Sequence, residues 1–123
     1  MIWTLFHVAL GGAIGASLRF LAVIWAARAF GPGFPFGTLA VNVLGSLAMG
    51  ALFVILTARS STLQPFLLTG ILGGFTTFSA FSLDAVALWE SGHATQAALY
   101  VAASVLFSLA ALVLGAAIAK SLT

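Results

Sequence analysis

Apolar positions run through this chain in four long blocks, at about 2–27, 37–57, 65–89 and 94–119, with polar, glycine- or proline-rich residues between them. At about 1.5 Å of rise per residue each block is long enough, as a helix, to cross a hydrocarbon layer roughly 30 Å thick. The interruptions carry their own stop chemistry. Arg28 and the run Gly31-Pro32-Gly33-Phe34-Pro35 end the first block, because successive glycines and prolines do not propagate a helix. A short polar loop from Ala58 to Gln64 containing Arg59 precedes Pro65, which suits a first helical position since its missing N–H would have had no partner there. The turn Glu90-Ser91-Gly92-His93 separates the third block from the fourth, and Lys120 with three further residues follows it. Loops this short leave adjacent helices antiparallel, so the expected fold is all-α: a single membrane domain of four spanning helices, up and down, with both termini on one side.

Composition moves the reading from apolar helices to a membrane protein. Hydrophobic residues make up 63% of 123 residues and charged residues 5%, with mean hydropathy +1.24; a soluble domain of this size could not hide so much apolar surface. No basic stretch and no cleavage site precede the first block, so it reads as a retained span and not as a signal peptide. Four Lys and Arg against two Asp and Glu offer no nucleic-acid surface, and the absence of cysteine excludes disulfides and thiolate metal sites. Arg59 and Lys120 flank one side of the bundle and Arg28 the other. A bias of one charge barely orients a chain, so insertion in both directions is expected, and oppositely inserted copies can pair about a two-fold axis in the membrane plane.

The third block carries the unusual chemistry. Gly70-Ile71-Leu72-Gly73-Gly74-Phe75-Thr76-Thr77-Phe78-Ser79-Ala80-Phe81-Ser82 crowds glycines, hydroxyls and phenylalanines where a plain anchor carries Leu and Val. Such a break at membrane depth is tolerable only where it faces protein or a water-filled cavity, and in an antiparallel pair its freed carbonyls from two copies can converge on one hard cation. Phe78 and Phe81 share a face; they are either core packing or a pair of rings whose positive edges approach a small anion. Asn42, inside the second block, needs a hydrogen-bond partner. Tyr100, Ser104 and Ser108 recur every four residues, either as hydroxyls bonded back to their own helix or as a polar track along a pore. Arg19 and Asp84 fall at similar depth, as an ion pair or as a snorkelling cation and a capping acid. Gly11 and Gly15 mark a face that lets another helix approach closely.

Gly11-Gly12-Ala13-Ile14-Gly15-Ala16 followed by Arg19, Gly37-Thr38-Leu39-Ala40-Val41-Asn42 with Gly45-Ser46, and Gly73-Gly74-Phe75-Thr76-Thr77-Phe78-Ser79-Ala80-Phe81-Ser82 together resemble the small dual-topology fluoride channels of the CrcB or Fluc family, over nearly the whole chain. The resemblance implies an antiparallel homodimer with two fluoride pores in the plasma (inner) membrane of a prokaryote, exporting fluoride passively from the cytoplasm. It implies Asn42, Phe78 and Phe81 as pore-lining residues, with Thr77, Ser79, Tyr100, Ser104 and Ser108 as polar lining. It further implies a structural Na+ at the dimer interface, held by the carbonyls of Gly73 and Thr76. Ala80 stands where the family commonly has threonine, and Asp84 where it has glutamate. Three other classes stay in view. A proton-coupled exporter needs a carboxylate near the midplane, whereas Asp84 and Glu90 lie near one face. An accessory subunit would explain the apolar bulk but not the glycine, threonine and phenylalanine cluster. An enzyme would need a nucleophile, base and orienting group together, and none are.

Overall fold

The computed structural model describes residues 1–123. Helix α1 spans Ile2–Phe30, α2 Phe36–Ala58 and α5 Ala94–Leu122. The third crossing is made of two pieces: α3, wound as a π-helix over Pro65–Leu72 and closed by an α turn at Gly73–Phe75, then α4 over Ser79–Glu90. All four crossings have the length and apolar character of membrane spans.

The observed ends differ from the hydropathy boundaries for reasons of backbone chemistry. Helix α1 continues past Ala27 through Arg28 because a cation in the last turn suits the helix C-terminus. It stops at Gly31, whose φ of 84° is left-handed and whose N–H closes on the Ala27 carbonyl at 2.9 Å. Lys120 likewise sits inside the last turn of α5 and not beyond it. In α3, the Gly73 N–H reaches back five residues to the Leu68 carbonyl, a winding that hydropathy cannot report because it changes hydrogen-bond register and not polarity.

Small residues hold the bundle together and large ones face outward. Helix α1 lies along α3, and α2 along α5. A Cβ on Gly11 would strike the Phe66 carbonyl, and one on Gly15 the Ile71 carbonyl; one on Gly74 would stand 2.7 Å from the Gly12 carbonyl. The seam expected from Gly11 and Gly15 is therefore real, and it receives α3 at backbone distance. A second seam was not anticipated: Gly50 of α2 meets the Leu112 carbonyl of α5, and Gly115 of α5 meets the Leu47 carbonyl of α2. Only 18 of the 123 residues are buried, while Trp3, Trp25 and Trp89 near the helix ends are mostly exposed. That inversion of a soluble core fits a chain whose outer face meets lipid and whose interfacial tryptophans sit at headgroup level. One compact apolar cluster, Phe81, Leu88, Ala97 and Tyr100, ties α4 to α5.

Candidate functional site

The gap between α3 and α4 organises the site. Thr76 turns extended (φ −86°, ψ 158°), and Thr77 N–H, which would have continued the helix, donates instead to Asn42 Oδ1 at 2.7 Å. Asn42 Nδ2 in turn donates to the Thr77 carbonyl at 2.9 Å. The partner that Asn42 requires is thus the main chain of the break itself. On the other lip, Arg19 Nε donates to the Gly74 carbonyl at 3.1 Å. Thr76 stays tied to α3, its N–H and Oγ1 both donating to Leu72 O. Thr77 Oγ1 accepts the Ala80 N–H at 3.1 Å and starts α4. No N–H or side-chain donor of the chain reaches the carbonyls of Gly73, Phe75 or Thr76. Unpaired carbonyl oxygens form a donor set that suits a hard cation such as Na+, so Gly73 and Thr76 fit the ion expected there.

Beside the break lies an open-sided groove of about 560 Å³. Helix α2 contributes Asn42, Gly45, Ser46 and Met49; the broken crossing contributes Gly73, Thr76, Thr77, Phe78 and Phe81; α5 contributes Ser104 and Ser108 among aliphatic neighbours. No charged side chain lines it. Phe78 is 79% exposed at its rim and Phe81 8% exposed in its wall, with ring centroids 5.5 Å apart and planes inclined by 60°. Ser104 Oγ and Ser108 Oγ are buried with no hydrogen-bond partner, so the back-bonded reading of these two serines does not hold. Buried hydroxyls without partners and ring edges can replace part of a small anion's hydration, and without a cation they do not trap it.

Eight of the expected residues therefore meet in one place: Asn42, Gly73, Thr76, Thr77, Phe78, Phe81, Ser104 and Ser108. Four do not. Tyr100, although in register with the serines, is fully buried away from the groove. Its longer side chain crosses to α4, where the hydroxyl donates to Asp84 Oδ2 at 3.0 Å while the ring meets Phe34 edge-on. Arg19 and Asp84 do not form the ion pair: the break exposes a carbonyl that Arg19 takes, and Asp84 faces Tyr100. Ser79 is exposed, its Oγ 3.5 Å from Thr77 Oγ1. Sequence reasoning gave no role to Gly45, where a Cβ would strike the Thr76 methyl group, or to Ser46 and Met49. The signal for Gly45 was present, a glycine three residues after Asn42 and so on its face of α2.

Residues 6–116 match the family model described as CrcB-like protein, Camphor Resistance (CrcB). A protein of Cereibacter sphaeroides named fluoride-specific ion channel FluC is 58% identical over 117 residues, covering 95% of this chain and 94% of the relative. Proteins of the same name from Ruegeria sp., 58% identical over 118 residues (94% and 93% of the two chains), and from Rhizobium etli, 52% identical over 120 residues (95% and 96%), are similar over nearly their whole length.

Proposed function

This chain belongs to the CrcB family, and from that membership and the groove at its helix break we propose that it is a fluoride channel. It is a multi-pass protein of a prokaryotic plasma membrane that lets fluoride leave the cytoplasm down its gradient. The observation that carries the route is the uncharged groove, where Asn42, Thr77, Ser104 and Ser108 stand beside the Phe78 and Phe81 rings. Fluoride is small and strongly hydrated, so a path through low dielectric needs many partial replacements for water; conduction needs each of them to be weak enough to release the ion. Hydroxyls and ring edges meet both demands, and an arginine in the wall would meet only the first. No titratable side chain lines the groove, which favours passive flow over proton-coupled export.

The working unit is an antiparallel homodimer with two such paths. The open side of the groove supports this reading, because a polar route for an ion cannot stay open to hydrocarbon and a second copy would wall it off. Oppositely inserted copies bring the two breaks together, and the carbonyls of Gly73 and Thr76 would then hold a shared Na+. An ion held there would offset the negative ends of those carbonyl dipoles.

Fluoride efflux from liposomes containing only this chain is the decisive measurement: a fluoride electrode should register rapid release, with chloride release far slower. Release no faster than from empty liposomes would overturn the channel. C-terminal tags should be found on both sides of the membrane, and a uniform orientation would remove the antiparallel pair. Replacing Na+ with a bulky organic cation should lower the melting temperature of the purified dimer; an unchanged value would remove the sodium site.

A further inference from the structure

We infer that Asn42 is a positioning residue, a clasp that pairs with both main-chain groups of Thr77 and fixes the helix break, and that fluoride passage does not depend on its spare amide hydrogen. The inference rests on the channel reading for its functional consequence and on the geometry of the break for its substance. A carboxamide is a peptide group in miniature, planar, with one acceptor and one donor side by side. Asn42 uses it as such: Oδ1 accepts from Thr77 N–H at 2.7 Å and Nδ2 donates to the Thr77 carbonyl at 2.9 Å. In hydrocarbon a helix cannot be interrupted unless the freed groups find partners inside the protein. Thr77 is the residue of the break whose N–H and carbonyl are both taken by one side chain, and the two groups lie 35 residues from it in sequence.

The clasp is anchored where the bundle is stiff. Helix α2 is held to α1 at Gly37, where a Cβ would stand 2.8 Å from Val23 Cα, and to α5 at Gly50. Val41, next to Asn42, is 1% exposed. What the clasp fixes is the start of α4: Thr77 Oγ1 holds the Ala80 N–H, and Phe78 and Phe81 follow within the next turn. Arg19 secures the opposite lip through Gly74. A side chain at position 42 therefore sets the rings of the groove through the backbone, and an interaction of Asn42 with the ion is not required for its loss to stop flux.

Aspartate separates the two roles. An ionised Asn42→Asp presents two acceptors, one of them against the Thr77 carbonyl, so the clasp opens. A protonated Asn42→Asp presents a carbonyl to Thr77 N–H and an O–H to the Thr77 carbonyl, so the clasp closes again with no hydrogen left over for an anion. The groove lining holds no other titratable group; on the neighbouring elements, Arg19 of α1 is bound at Gly74, and Asp84 of α4 is bound to Tyr100 of α5. Fluoride efflux of Asn42→Asp should be at least tenfold below wild type at pH 8 and should recover most of that loss as pH falls toward 5.5, with HF leakage subtracted using channel-free liposomes. Asn42→Leu, uncharged and close in size, should stay inactive throughout. Hydrogen exchange at the Thr77 amide gives the second readout: slow in wild type and in Asn42→Asp at low pH, fast in Asn42→Leu and in Asn42→Asp at pH 8. An Asn42→Asp dimer that stays silent at every pH while its Thr77 amide is again protected would assign the spare hydrogen to the ion and overturn the inference. Wild-type flux from Asn42→Leu would overturn it equally. If the wild-type chain passes no fluoride at all, the channel reading fails, while the exchange data still decide whether the clasp exists.

Discussion

Phe78→Ile reduces fluoride efflux by an order of magnitude or more in a dimer that elutes and melts like wild type, and Phe81→Ile does the same with some loss of stability. The two residues separate packing from conduction because they are so differently embedded. Phe81 is 8% exposed, and its ring lies 5.2 Å from Tyr100 inside the cluster that joins α4 to α5. Exchanging it for a smaller aliphatic disturbs that packing by about 1 kcal/mol. Phe78 is 79% exposed in the single chain and supports little of the fold, so a fall in flux from Phe78→Ile cannot be charged to misfolding of the subunit. Isoleucine preserves apolar bulk but has no positive ring edge. If each edge lowers the barrier for the ion by about 1.4 kcal/mol, its removal slows passage roughly tenfold. Methionine, with a polarizable sulfur, should fall between the two. Phe75→Leu should be mild, since Phe75 is absent from the groove lining. Efflux normalised to protein amount is the measurement, and equal rates for Phe78→Ile, Phe81→Ile and wild type would show that the rings only pack.

Gly15→Ala should abolish the folded protein, while Gly12→Ala, three residues away on the same helix, should be silent. A Cβ at position 15 would land on the Ile71 carbonyl with the Phe75 nitrogen 2.9 Å away, whereas one at position 12 meets nothing within 4 Å. The obstructing atoms are all backbone of α3, so no rotamer change relieves the clash, and α1 and α3 must separate. That separation withdraws the seam and Arg19's hold on Gly74 together, an expected loss of about 3 kcal/mol or more. Size-exclusion profiles and thermal melting of the two variants in detergent check this directly; a monodisperse Gly15→Ala melting within a degree or two of wild type would contradict the seam.

The sequence by itself determined those features whose cause is local. Hydropathy and length give four crossings; Gly31 and the prolines around it stop α1; Pro65 opens α3. Gly73-Gly74 followed by Thr76-Thr77 breaks the third crossing because glycine propagates a helix weakly and threonine hydroxyls compete for backbone groups. Gly11 and Gly15 announce a close helix contact because small residues at that spacing admit little else in lipid. What the sequence left open was which polar group meets which. Tyr100, Ser104 and Ser108 share a face of α5, yet the tyrosine hydroxyl goes to Asp84 and the serines line the groove. Arg19 and Asp84 lie at similar depth, yet each is taken by a different partner. Asn42 needed a partner, and only the fold brought Thr77 to it. These pairings follow from the rotation of each helix about its axis and its axial offset from its neighbours. Both are set where backbones touch, at Gly11 and Gly15 against α3 and at Gly50 and Gly115 between α2 and α5, and spacing along a single helix carries no information about either.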